Sequence, residues 1–384
     1  MDVAAVRNGV RELLRDEKGC PAGHRFNLYF ETWSDSDWSQ GKGSKADAAR
    51  RALHLGDSAG VLKGIRERQA FIAARMGARP GQLASLVLDT VSTSPFATGL
   101  GMEHPIENGF AFLTPYGLPY LAGSGVKGVL RHASRQLEED GLLDAGTTLA
   151  LFGHDADDDP RRGAVVCWDV FPAPQQGKPE QLQVEVMTPH FRDYYGGKGG
   201  TPHDSGGPNP IPFLAVPAGW SFKFVLLCNT AALAVTMPGL DWEKALRDIA
   251  SHAFDWLGFG AKTATGYGVL RPDAAAAEEQ AKTLGEIERE QARKALSPNM
   301  LKVTDLVTKA AERVASLRGA ALNVGDAQMQ AFRDIAKAAA ADDWTQDERT
   351  ALVNAIEEWL PKLFKCDMKD QRKKLGVAKL RGQA

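Results

Sequence analysis

The chain has 384 residues, of which 43% are hydrophobic and 24% charged, a composition that builds a packed core and excludes wholesale disorder. Its 46 Lys and Arg stand against 48 Asp and Glu, a net charge of −2, so any binding to nucleic acid or an anionic membrane must come from local patches. The four cysteines (Cys20, Cys167, Cys228, Cys366) lie far apart without CxxC spacing, which argues against a zinc centre and a disulfide scaffold, and no run approaches the roughly 18 apolar residues of a membrane span.

The opening MDVAAVRNGVRELLRDEK reads as helical and carries neither a compact apolar stretch nor a small-residue cleavage site, so a reduced, cytoplasmic protein is expected. In His24–Trp33, Phe26, Leu28 and Phe30 alternate and predict a strand, followed by a Ser-, Asp- and Gly-rich loop to Lys45. Asp47–Met76 is helix-forming and broken by glycines. Leu83–Val91 predicts a buried strand that ends in the turn-rich STSPFATGLG. Ser124 is placed to cap a helix in which Val126, Val129, Leu130, Ala133 and Leu137 share one face, with Lys127, Arg131 and Arg135 opposite.

Gly163–Phe171 predicts another strand, and Trp220, Phe222, Phe224, Leu226 and Cys228 alternate in a further one. Asp241–Leu257 predicts an amphipathic helix with Trp242, Leu246, Ile249, Ala253 and Trp256 on its core face. Between those strands, Pro189–Pro212 holds six glycines and five prolines in 24 residues, too irregular for a core element and too long for an ordinary turn. Beyond Arg271 the pattern turns Ala-, Lys- and Glu-rich and helical, and Thr345–Glu348 matches a capping box opening a helix that meets Pro361.

Two glycine-rich segments carry the chemistry. In PYLAGSGVKGVLR (Pro119–Arg131) a turn opens a helix, whose unpaired N–H groups and partial positive charge suit a phosphate beside Lys127 and Arg131. In GFGAKTATGYGVL (Gly258–Leu270), Gly258, Gly260, Gly266 and Gly268 frame Lys262, Thr263, Thr265 and Tyr267, a set able to line a polynucleotide backbone and offer a stacking face. The same glycines equally suit a solvated helix start and a tight helix-to-strand turn. Nucleotide-binding readings fail on spacing: Ala261 precedes Lys262-Thr263 where a P-loop has glycine, and Thr263 stands where GxGxxG needs its third glycine.

The Pro189–Pro212 stretch gathers His190, Arg192, Tyr194, Tyr195, Lys198 and His203, aromatic and basic groups that suit unstacked nucleotides. Rival readings make His190 or His203 a general base, or His190, His203 and Asp204 metal ligands. Asp155–Asp159 lacks the Gly and closing Glu of an EF-hand loop and reads as a solvated acidic turn. The segment Lys362–Arg381, eight Lys and Arg against two Asp, reads as a solvated basic helix face, with contact to RNA phosphates as the alternative.

The order of these elements, with a glycine-rich loop between the last helix and last strand, resembles the RAMP superfamily of CRISPR-associated proteins. Within it, Thr98–Arg131, Val186–Tyr195 and Pro208–Val216 are similar to the family of sixth subunits of type III-B Cmr effector complexes. At the first turn, Ala122 and Gly125 stand where that family commonly has Pro and a second Ser.

The resemblance implies an α+β fold: a ferredoxin-like (RRM-like) RAMP domain over 81–272 with a thumb-like insertion at about 172–212. Outside it, the residue pattern predicts a 1–80 helical and strand segment packing on that core and a 273–384 α-helical extension, which has no counterpart in the family and is read as a subunit-docking element. The resemblance further implies a non-catalytic backbone subunit with no cofactor or metal and no membrane contact, holding CRISPR RNA near its 3′ end and supporting target RNA binding. Partners would be the repeating backbone RAMP subunit, the small helical subunit and the first Cmr subunit. Carried over by position, RNA contacts fall to Gly123, Ser124, Lys127, Arg131, Gly258, Gly260, Lys262, Thr263, Thr265 and Tyr267, with His190, Arg192 and Lys198 in the insertion. Alternatives are a metal-independent endoribonuclease using His190 or His203, with Lys127 or Lys262 stabilising the phosphorane, and a purely protein-binding assembly module.

Overall fold

A computed structural model describes residues 2–14, 20–40, 45–56, 58–77, 83–154, 161–188, 192–197, 201, 210–279, 282, 285, 293–294, 296–317, 322–323, 325–341 and 343–382. The chain divides into two compact units, Met1–Thr283 and Leu284–Ala384.

The first unit is mixed helix and sheet. Near its start, α1 (Ala22–Asn27) precedes a strand at Glu31–Ser34 that pairs with Asp2–Ala4. The expectation of a strand from His24 is corrected here. Ala22 and Phe26, four residues apart, are fully buried while Leu28 is 61% exposed, which is helical periodicity rather than alternation. Phe26 also stacks on His104, with ring centroids 3.8 Å apart. Helix α2 (Ser58–Gly77) runs unbroken through Gly60 and Gly64, and the chain turns before it at Gly56, in the left-handed region with φ +57°.

The central sheet contains β1 (Leu83–Ser92), β2 (Val165–Cys167), β3 (Ala173–Pro174), β6 (Trp220–Asn229) and β7 (Leu270–Pro272) in the order β7-β1-β6-β2, with β3 also paired to β6. All pairs are antiparallel. Strands β4 (Gln183–Met187) and β5 (Ile211–Ala215) form a separate antiparallel pair in register Glu185↔Phe213. Between β1 and β2 runs α3 (Gly123–Glu139), and between β6 and β7 runs α4 (Trp242–His252).

Period-two alternation in β6 sorts its side chains between two layers. Phe222, Phe224, Leu226 and Cys228 join the main core with Val126, Leu130, Leu246 and Ile249 of α3 and α4. Val225 and Leu227 face the other way and pack with Ala73 of α2. Arg66 pins α2 there: its guanidinium donates to the carbonyls of Phe171 (2.6 Å) and Ser221 (3.0 Å) and to Ser221 Oγ (3.0 Å). The sheet therefore carries helices on both faces.

The second unit is helical, with α5 (Pro298–Leu317), α6 (Ala327–Ala341), α7 (Gln346–Leu363), α8 (Met368–Lys374) and α9 (Val377–Leu380) around Leu306, Phe332, Ile356 and Leu360. The capping box at Thr345 and Glu348 opens α7 as its sequence predicts, and Pro361 sits inside the helix's last turn. Among the described residues, no helix is long and apolar enough to cross a membrane.

Candidate nucleic-acid interface

The first glycine segment is fixed to the end of β2. Leu121 exchanges backbone hydrogen bonds with Val170 (2.8 and 2.9 Å), and the Gly123 amide donates to Asp169 Oδ1 at 2.7 Å. A Cβ on Gly123 would stand 2.3 Å from the Cys167 carbonyl oxygen, so only glycine lets α3 start this close to the strand. The helix is capped by the extended backbone of Ala122, not by Ser124, which lies exposed in the first turn. The Asp169 carboxylate satisfies the free N–H of Gly123, so no hydroxyl is needed there.

Along α3, Lys127 and Arg131 are half-buried and His132 and Arg135 exposed, with no acidic residue before Glu138. Arg131 Nε is buried and has no acceptor among the described residues.

The second segment begins where α4 widens into a π-helical turn at Ala253–Leu257. That turn corrects the expected core face: Ala253 is buried but Trp256 is 78% exposed, because the extra residue per turn rotates the indole outward. Gly258 ends the turn at φ +69°, and its amide donates to the Ala253 carbonyl at 2.9 Å. The amides of Phe259, Ala261 and Gly268 donate to Gly268 O (3.0 Å), Ala97 O (2.7 Å) and Pro95 O (2.8 Å). A Cβ on Gly260 would lie 2.3 Å from Ala97 O, and one on Gly268 would lie 1.8 Å from Phe259 O. Gly268 closes the loop on its own backbone and Gly260 seats it against the segment after β1, with the amides of Gly258 and Gly268 committed to Ala253 and Pro95.

What the loop presents outward is different. Thr265 and Gly266 are exposed and Thr263 half-buried, while Lys262 adopts φ +61° and holds its ammonium 5.8 Å from the Phe213 ring centroid. Tyr267 does not offer an open stacking face. Its ring lies 5.7 Å from that of Phe213, and its hydroxyl donates to Glu185 Oε2 at 3.0 Å. Burial first, and then the Glu185 carboxylate, push its phenol up to about 12. The loop is thereby tied to the β4–β5 pair.

The second segment lies off one end of the sheet, and the first starts beside β6, against Cys167, which pairs with Leu226. Strand β1 runs towards Ala97, where Ala261 bridges, and Val216, just before β6, bridges Phe96. Strand β2 is antiparallel to β6, so Asp169 and Val170 beyond it point towards the same start of β6.

His190, Lys198, His203 and Asp204 lie outside the described residues, as does Asp155–Asp159. Arg192 opens a short helix, Arg192–Tyr195, in which the exposed Tyr194 and Tyr195 rings are 5.3 Å apart. Among the described residues, no three His, Cys, Asp or Glu side chains gather as a metal site would need. Asp169 and Glu185, which anchor the two segments, escape the sequence reading. An acid inside the apolar run GAVVCWDVF is a usable signal for Asp169, whereas Glu185 alternates like any exposed strand residue.

Residues 90–271 match the model of the RAMP superfamily. Over that segment, a little under half of its length, the chain is RAMP-like. It is similar to CRISPR system Cmr subunit Cmr6 of Pyrococcus furiosus, 26% identical over 231 residues that cover 46% of this chain and 65% of that one, a little under two thirds of the relative's length. Among solved structures, a chain of the type III-B Cmr-beta complex bound to cognate target RNA aligns with TM-score 0.42 and 18% identity, covering 59% of this chain and 69% of that one. The crystal structure of Cmr6 from Pyrococcus furiosus aligns with TM-score 0.30 and 22% identity, covering 50% and 100%. A chain of a CRISPR RNA-guided surveillance complex aligns with TM-score 0.32 and 16% identity, covering 49% and 66%.

Proposed function

We propose that the chain is a non-catalytic, RNA-binding subunit of a type III-B Cmr effector complex, working in the cytoplasm beside other Cmr subunits on CRISPR RNA and target RNA. The observation that carries this is a basic helix start (Lys127, Arg131) anchored at the end of β2 and a loop exposing Thr265 and Gly266 beside Lys262 anchored beyond β1, two strands that run the same way. A guide-binding scaffold needs sequence-independent contacts to the backbone, because the guide changes and the protein does not. Cations and hydroxyls on rigid elements meet that need.

The strand order β7-β1-β6-β2, with α3 and α4 at the two crossovers, supports a ferredoxin-like (RRM-like) RAMP domain. The β4–β5 pair is its thumb-like insertion. Because α2 covers the sheet face that α3 and α4 leave, RNA is assigned to the sheet's end and not to its face.

The test is RNA binding by the full chain across a salt series. Lys127→Glu with Arg131→Glu should weaken binding and lower the slope of log K against log salt by about 2, one per lost phosphate contact. Unchanged affinity and slope would support a protein-only module, and cleavage of the bound RNA would refute a non-catalytic role.

A further inference from the structure

The indole of Trp256 has no place in the fold. It is 78% exposed, whereas the large aromatic side chains Trp220, Phe222, Phe224 and Phe259 around it in sequence and sheet are buried. A rigid element holds this large aromatic face in water, where a flat ligand can reach it. The element is rigid: the turn Ala253–Leu257 packs on α3, and buried Ala253 and Phe254 lock it, with Phe254 5.4 Å from Phe224 and 5.6 Å from Phe259 by ring centroids.

Its neighbours define the partner's chemistry. His252 Nε2 and Gln136 Oε1 are 2.8 Å apart and fix the level of α4 against the antiparallel α3. One turn on from His252 and one turn back from Gln136 brings Trp256 to the level of His132, whose neighbour three residues on is the exposed Arg135; the exposed Asp255 precedes the indole. Two residues later the chain enters the loop of Lys262 and Thr265. A flat aromatic face beside cations and hydroxyls matches single-stranded nucleic acid, in which a base stacks while flanking phosphates meet the positive groups.

We infer that Trp256 is a stacking platform for one unpaired base of the RNA that the proposed function places at this end of the sheet, and that His132 and Arg135 hold an adjoining phosphate. The inference rests on that proposed function and adds a residue to it that the glycine motifs do not contain.

Fluorescence anisotropy of the full chain with a labelled single-stranded RNA of mixed sequence tests it. Trp256→Ala should weaken binding about tenfold or more with no change in the salt slope, since it removes stacking and no charge, while Trp256→Phe should keep most of the affinity. An RNA with abasic residues should bind wild type and Trp256→Ala alike. If wild type binds RNA and Trp256→Ala binds equally well, the stacking role is overturned and the proposed function stands, and this includes the case in which the variant loses only a protein partner. If wild type binds no RNA, both fall.

Discussion

The Gly123 amide donates to Asp169 Oδ1 at 2.7 Å while its Cα rests so close to β2 that a Cβ would stand 2.3 Å from the Cys167 carbonyl oxygen. This one relationship sets where α3 begins, and thereby where Lys127 and Arg131 emerge.

Gly123→Ala should therefore act as an overpacking change against backbone, which cannot yield as a side-chain tip can. The expected loss is about 2 kcal/mol or more of unfolding free energy, read from urea denaturation midpoints. Asp169→Ala leaves the amide without its charged acceptor and should cost about 1–3 kcal/mol. An unaltered midpoint in both variants would show that α3 is positioned by its apolar face alone.

Tyr267 titration offers a second check. Its folded-state phenol is raised to about 12 against an ordinary value near 10. A raised pKa means that the neutral form is favoured by the fold. The contribution is fully present below about pH 10 and is lost as pH climbs towards 12. Tyr267→Phe should flatten the fall of stability over that window, and Glu185→Gln should bring the phenol's ultraviolet titration downward. A Tyr267 that ionises near pH 10 in the folded chain would mean that the loop is not tied to β4–β5.

How far the sequence discloses this architecture depends on the kind of interaction involved. Where one residue pattern answers one local demand, it reads correctly: Phe222, Phe224, Leu226 and Cys228 alternate and line one face of β6, and Thr345 with Glu348 forms its capping box. Failures occur where tertiary contact overrides the local pattern. Phe26, Leu28 and Phe30 fall at every second position as on one face of a strand, yet His104, from a distant segment, stacks on Phe26, and Ala22–Asn27 coils into α1. Trp256 completes a helical stripe at 3.6 residues per turn, and the π-helical turn breaks the count. The site was half legible. Glycine clusters marked both segments, but that Gly260 and Gly268 serve close backbone packing follows only from the positions of Ala97 and Phe259.

Thiol chemistry should report the folded core. Burial raises all four cysteines above the ordinary thiol value, Cys167 to about 12 and Cys228 to about 11, so the reactive thiolate is scarce near neutral pH. Iodoacetamide at pH 7.5 should leave Cys167 and Cys228 unmodified in the native chain and alkylate them once urea passes the unfolding midpoint, as mass spectrometry of tryptic peptides would show. Cys366, only half-buried, should react first. Prompt native labelling of Cys228 would contradict its place in the core beside Phe222 and Leu246.

The second unit should have its own acid sensitivity. Glu348 is buried yet held charged: Ser297 Oγ and Asn299 Nδ2 donate to it, and so does the Thr345 amide at 2.9 Å. These hydrogen bonds, Ser297 foremost, hold its carboxyl below the ordinary value. A depressed folded-state pKa contributes stability that is present above the unfolded value near 4.3 and is lost as pH falls through the folded value. Amide-exchange protection factors, which allow for the intrinsic slowing of exchange in acid, should therefore fall in α7 below about pH 4.3, ahead of the β1–β6 ladder of the first unit. Glu348→Gln should remove that pH dependence, and Thr345→Ala should lower stability by about 1 kcal/mol at neutral pH. If α7 in the Glu348→Gln variant still loosens over the same pH range as in wild type, the acid response arises from another carboxylate, and the capping box contributes only its hydroxyl.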